Sequence, residues 1–194
     1  MPRSPRERMV FSAAQLIRTQ GVSGTGLRDV VEHAEAPRGS LQHYFPGGKE
    51  QLVDEAVAWA GSYAARRVRE YAEALEDPTP GKLFAAMARQ WRDEFTRTGF
   101  AGGCPLVAAT ADSAAASERL RKSVGAAFAA WQAPVAGELE RMGVPERRSG
   151  TLALLMLSAL EGAIVLARAH HDVAPLDAVA TELAPVLDGA ATRA

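Results

Sequence analysis

Apolar residues recur at helical spacing along almost the whole chain, and nowhere alternate with the period of two expected of a half-buried strand. Met9, Val10, Ala13, Leu16 and Ile17 form the first stripe. Ser4-Pro5-Arg6-Glu7 opens it with a serine cap, a proline at the first helical position and a glutamate three residues past the cap; Gly21 stops it. In the loop that follows, Thr25 is placed to cap the next helix. Leu27, Val30, Val31 and Ala34 then make one apolar face, interrupted by Glu35-Ala36-Pro37. Pro37 can open a new helix but not sit inside the old one. The spacing predicts a short helix from Arg38 to Phe45, with Leu41 and Phe45 inward and Arg38, Ser40, Gln42, His43 and the Tyr44 hydroxyl outward. Two short helices around a tight turn, the second rich in hydrogen-bonding groups, outline a helix-turn-helix.

Pro46-Gly47-Gly48 breaks the chain, and further helical stripes follow over residues 49–76, 82–98, 106–112, 117–142, 146–170 and 175–187. The expected fold is all-α with about nine helices: a three-helix head over 1–48, and a helical ligand-binding and dimerisation domain over 49–194. Pro134 should kink the seventh helix. The eighth is apolar nearly all round, and the ninth adds a second stripe. Such a pair suits a symmetric four-helix dimer interface through Leu152, Met156, Leu160, Ile164, Val179, Leu183 and Val186; alternatively it completes the core of one chain.

Composition narrows the picture. The 194 residues are 47% hydrophobic, much of it alanine, which favours helix over sheet. The net charge of −1 excludes a general polyanion binder, although residues 1–50 carry +2 and residues 51–194 carry −3. The single Cys104 excludes an internal disulfide and a cysteine-built zinc site. No apolar run near the start suits a signal peptide, and the 152–169 run is broken by Glu161 and Arg168, so a soluble cytoplasmic protein without a membrane span is expected.

The succession Gly21-Val22, Thr25, Leu27, Val30-Val31, Arg38-Gly39-Ser40-Leu41, His43-Tyr44-Phe45 and Lys49-Glu50-Gln51-Leu52 resembles the N-terminal domain of TetR-type repressors. GSLQHYFPGGKEQL, GGCPLVAATAD and LSALEGAIVLAR resemble its LmrA/YxaF branch, close to QacR-like repressors, so the likeness spans most of the chain. The resemblance implies a homodimeric transcriptional repressor, released from palindromic operator DNA by a small-molecule inducer, with no enzymatic activity and no cofactor. It implies that Thr25 caps the second helix and meets phosphate, that Arg38, Ser40, Gln42 and His43 face the major groove, and that Tyr44 and Lys49 contact phosphate. Two positions depart from the family pattern. Glu35 stands where a turn glycine is usual, and Gln42, which can pair bidentately with adenine, replaces a tyrosine.

Several residues admit two readings. Arg38 could read guanine or touch phosphate. Phe84, Met87, Trp91, Phe95, Phe128 and Trp131 could line an apolar ligand pocket or simply pack the core. Glu161, in the most apolar helix, could meet a cationic inducer or an internal arginine. Cys104 reads as a pocket-lining or buried thiol, since nothing places a base beside it. Gly47-Gly48-Lys49 lacks the strand, lead and hydroxyl residue of a phosphate loop, and neither His43 nor His170-His171 has metal-ligand spacing. The rival function is a small-molecule-binding or enzymatic helical domain with a vestigial DNA-binding head, for which Glu35 is the best support.

Overall fold

The computed structural model describes residues 4–37, 39–113 and 117–191. Among them are nine helices and no strand: α1 Pro5–Gly24, α2 Leu27–His33, α3 Ser40–Tyr44, α4 Gly48–Glu73, α5 Pro80–Thr98, α6 Pro105–Ser113, α7 Glu118–Arg141, α8 Glu146–His170 and α9 Ala174–Asp188. The α1 capping box forms as expected, with the Glu7 amide donating to Ser4 Oγ and the Ser4 amide to Glu7 Oε2. Gly21 interrupts α1 at φ 76°, a backbone open to glycine at little steric cost. Gly99, also left-handed, ends α5.

The helices fall into two compact units, Met1–Ser62 with Gly102–Phe128, and Tyr63–Ala101 with Ala129–Ala194. The first contains the whole of the expected head. Its core is built by Met9, Val10, Ala13 and Ile17 of α1, Val30 and Val31 of α2, Phe45, Leu52, Val53 and Ala56 of α4, and Leu106 and Ala109 of α6. Backbone exchange ties α1 to the start of α6: the Gly103 amide donates to the Arg18 carbonyl at 2.9 Å, while Arg18 Nε donates to the Gly103 carbonyl at 3.1 Å. At the other end of α6, Asp112 accepts the Ser23 amide. Near Ser62, α4 crosses α7 so closely that only a glycine fits at position 61: a Cβ there would lie 2.7 Å from the Ala127 carbonyl oxygen.

The second unit is centred on Leu83, Phe84, Met87 and Phe95 of α5, Trp131, Val135 and Leu139 of α7, and Met156, Leu160 and Ile164 of α8. α7 continues through Pro134 within a single helical span. The Gly81 amide of α5 donates to Asp188 Oδ1 at the end of α9 at 2.7 Å, closing the pair.

The four α8 residues expected at a dimer interface, Leu152, Met156, Leu160 and Ile164, point the other way: each is buried in the chain's own core. An all-round apolar helix has no polar face to set its phase, so periodicity alone selected the wrong side. Along its middle, between Thr151 and Ala169, α8 leaves Leu154, Leu155, Ser158, Gly162, Val165 and Leu166 exposed. On α9, Val179 and Leu183 are half-buried and Val186 is exposed.

Gly61→Ala is expected to lower stability by about 1–3 kcal/mol through backbone overpacking. Gly125→Ala, in α7 with open space around the added methyl, should raise it by about 0.5–1 kcal/mol. Urea denaturation of both variants checks the pair.

Candidate nucleic-acid interface

The second helix of the head is shorter than the pattern predicted. It spans Ser40–Tyr44, because Pro37 belongs to the turn: its carbonyl accepts the Ser40 amide at 3.0 Å and the Ser40 hydroxyl at 2.6 Å, and Gly39 is the N-cap. Arg38 lies outside the described residues. Gln42 and His43 are exposed and Ser40 and Tyr44 half-buried, with the His43 and Tyr44 rings edge to face at 5.0 Å. Phe45, fully buried, anchors the C-terminal end.

Thr25 has a different role from the one predicted. It is buried, and its hydroxyl donates to the Gly21 carbonyl at 2.6 Å, closing the end of α1. The α2 N-cap is Gly26, whose amide donates to Asp29 Oδ2. The cap of α2 falls one residue later than expected, since a loop hydroxyl can close the helix behind it as readily as cap the one ahead. Lys49 stands at the start of α4, where the unpaired amide end favours anions, and its ammonium donates to the Ser23 carbonyl at 3.4 Å.

Glu35 takes the left-handed conformation, φ 49°, which costs a non-glycine residue about 1 kcal/mol. The turn is a Schellman closure: the Ala36 amide donates to the Val31 carbonyl and the Glu35 amide to the Glu32 carbonyl, both at 3.0 Å. Of the carbonyls beyond those bonds, Arg8 of α1 takes two. Its Nε donates to Ala34 O at 2.9 Å and its terminal nitrogen to Glu35 O at 3.3 Å. Arg6, one turn-face away, pairs with Glu55 of α4 and lies 5.4 Å over the Phe45 ring. Gln51 joins that pair, donating to Glu55 while accepting the Gly47 amide. Ser12 and His33 add a further α1–α2 link at 2.9 Å. None of these tertiary partners follows from helical periodicity; the only hint is a pair of arginines in the polar positions of α1.

A short helix anchored at its end by a buried phenylalanine, with two hydrogen-bonding side chains outward, is the geometry of a reading head, and comparison with known proteins decides its kind. Residues 12–56 match the bacterial regulatory proteins of the tetR family, and residues 80–182 match the C-terminal domain of LmrA/YxaF-like transcriptional regulators. The chain belongs to the TetR family. It is 40% identical over 188 residues to an HTH-type transcriptional regulator of Mycobacterium tuberculosis, covering 94% of each chain. It is 32% identical to YxaF of Bacillus subtilis, again covering 94% of both. A TetR regulator from Chloroflexus aurantiacus has a similar solved fold, with a TM-score of 0.76 and 27% identity over 98% of this chain and 97% of that one. The TetR-type head and LmrA/YxaF-like C-terminal domain are therefore established, and the protein is a helix-turn-helix transcriptional regulator.

The remaining candidate residues of this TetR-family chain divide between the units. Cys104 and Phe128 lie in the first, Cys104 buried and Phe128 half-buried. Phe84, Met87, Trp91, Phe95, Trp131 and Glu161 lie in the second, all buried but the half-buried Trp91. There Trp91 tilts against Phe95 at 5.8 Å, Phe95 stacks on Phe100 at 5.0 Å, and Phe100 meets His171 at 5.3 Å. The aromatic row thus extends two residues beyond those periodicity found, through a loop phenylalanine and a helix-capping histidine, both at positive φ. Beside it Tyr71 donates to Gln90 at 2.6 Å and accepts from Arg67; burial pushes its phenol up, against the opposing pull of the guanidinium.

Thr25→Val removes a buried hydroxyl and leaves the Gly21 carbonyl without that donor. The expected loss is about 1–2 kcal/mol, seen as a melting temperature lower by several degrees. A variant of unchanged stability would return Thr25 to the solvent-facing role.

Proposed function

We propose that the protein is a homodimeric repressor that binds a palindromic operator through α3 and is released by a small-molecule inducer, acting in the cytoplasm without catalysis or cofactor. The observation that carries the reading is the exposure of Gln42 and His43 on a short helix whose C-terminal end is anchored by the buried Phe45 under Arg6 of α1. Glutamine supplies a donor–acceptor pair suited to adenine, Ser40 and His43 share the groove-facing role, and Tyr44 and Lys49 are the companions that position the helix on phosphate.

Dimerisation is supported by α8. It is long and apolar enough by composition to cross a bilayer, yet its apolar residues divide cleanly, one set in the core and one exposed. Leu154, Leu155, Val165 and Leu166 lie between 42% and 54% exposed, flanking the small residues Ser158 and Gly162, and Val186 of α9 is 54% exposed. That stripe is the face for a second copy, with small residues at its centre for close helix approach. An inducer site is supported by the aromatic row of the second unit and by Glu161, an acid 8% exposed among apolar neighbours, suited to a planar or cationic compound.

Selection of duplexes from a randomised pool tests the operator reading. Two inverted half-sites spaced by about one helical turn or a multiple are expected; a single asymmetric site would contradict it. Gln42→Ala should cost about 1–3 kcal/mol of discrimination at one adenine position in each half-site. For the dimer, Leu154→Glu with Leu166→Glu should convert the protein to monomers in sedimentation velocity without loss of helicity. For the inducer, a compound found by thermal shift among cationic and planar apolar candidates should lose its effect in Trp91→Ala and release the duplex from the wild type.

A further inference from the structure

We infer that Arg8 is a positioning residue for DNA recognition, a clamp from α1 that allows Glu35 to occupy the left-handed turn and so fixes the direction in which α3 leaves it. The inference rests on the proposal that α3 reads DNA.

The chemistry is local. The C-terminal end of α2 carries partial negative charge on its last carbonyls. The Schellman bonds use the carbonyls of Val31 and Glu32, leaving those of Ala34 and Glu35 pointing out of the turn. A glycine at position 35 would hold positive φ by itself, whereas glutamate, at φ 49°, prefers to leave it. Arg8 sits 26 and 27 residues earlier in the chain and supplies donors to both carbonyls from a half-buried position on α1. The fork geometry of a guanidinium matters, because a single ammonium cannot span the two oxygens with the same fixed orientation. Glu35 is exposed and Arg8 reaches only the backbone of the turn, so the clamp leaves the outward side chains of α3 untouched. Its effect on DNA is therefore indirect: Ala36 and Pro37 follow directly, and the Pro37 carbonyl receives both the amide and the hydroxyl of Ser40 at the start of α3. A rotation at Glu35 is passed to the reading helix through the two bonds that tie Ser40 to Pro37.

The dependence on Arg8 is specific to a non-glycine turn, which gives the proposal a signature that general stabilisation lacks. With Glu35→Gly the turn keeps its φ by intrinsic preference, and loss of the clamp should then matter little. The test compares wild type, Arg8→Met, Glu35→Gly and the double variant, all as the full chain. Affinity is read on the duplex that the wild type recovers from a randomised pool, and amide exchange is read at Glu35, Ala36 and Phe45.

Arg8→Met should weaken the duplex about tenfold and speed exchange at Glu35 and Ala36, while amides in the middle of α1 keep their protection. Glu35→Gly should bind at least as well as wild type. The double variant should recover most of the affinity lost by Arg8→Met, a non-additivity that identifies the pair as one element. Arg8→Lys should fall between. If the double variant binds as weakly as Arg8→Met, Arg8 acts by touching DNA itself and the clamp is wrong. Unchanged exchange at Glu35 and Ala36 in Arg8→Met overturns it as well. Should the wild type recover no preferred duplex, the DNA-reading proposal fails, and the exchange comparison alone decides whether Arg8 holds the turn.

Discussion

The reading helix spans only Ser40–Tyr44, well below the length at which a helix persists by its own hydrogen bonds in water. Its position is set from outside, and two arginines of α1 reach the segments at its two ends. Phe45 buries the far end under Arg6, which also reaches Glu55 of α4; Arg8 closes the near end through the turn at Glu35. The apolar stripe of α1 and the charged residues beside it therefore serve different ends. The first supplies burial, and the second supplies direction. Exposed ion pairs contribute little to stability, so the Arg6–Glu55 pair matters chiefly for where it holds the Phe45 ring.

The same unit extends past the head. α6 is tied to α1 at both ends, by reciprocal Arg18–Gly103 bonds and by Asp112 on the Ser23 amide. The loop from Ser23 to Gly26 is thereby bounded by α6 on one side and by Lys49 of α4 on the other. Thr25 is locked inside it by the Gly21 carbonyl. A helix-turn-helix of this size buries too little by itself, and these links explain why Gly102–Phe128 belongs to the same compact unit as the head.

Much of this was legible from residue spacing. The cap at Ser4 and the breaks at Gly21, Pro46–Gly48 and Gly99 each follow from local backbone chemistry, and the helices bounded by them fall close to where the stripes placed them. Local chemistry was ambiguous at Thr25, whose hydroxyl can close the helix behind it or cap the one ahead, and at Pro37, which suits a turn as well as a first helical position. The Glu35 departure was visible, but its compensation was not: Arg8 lies too far along the chain for any periodic pattern to connect the two. The outward side of α8 was hidden for another reason. With apolar residues on both faces, only the packed core reveals that Met156 and Leu160 look inward while Leu155 and Leu166 look out.

The central claim, that this head engages duplex DNA rather than persisting as a relic on a ligand-binding domain, is tested most directly by titrating salt against the affinity of the intact protein for a selected duplex. Phosphate contacts release counterions, so log affinity should fall linearly with log salt, at a slope of about −0.9 for each phosphate neutralised. A dimer that places Lys49 of each head on a phosphate predicts a slope of about −2 or steeper. Affinity independent of salt, or binding no tighter to the selected duplex than to a scrambled one, would contradict the account.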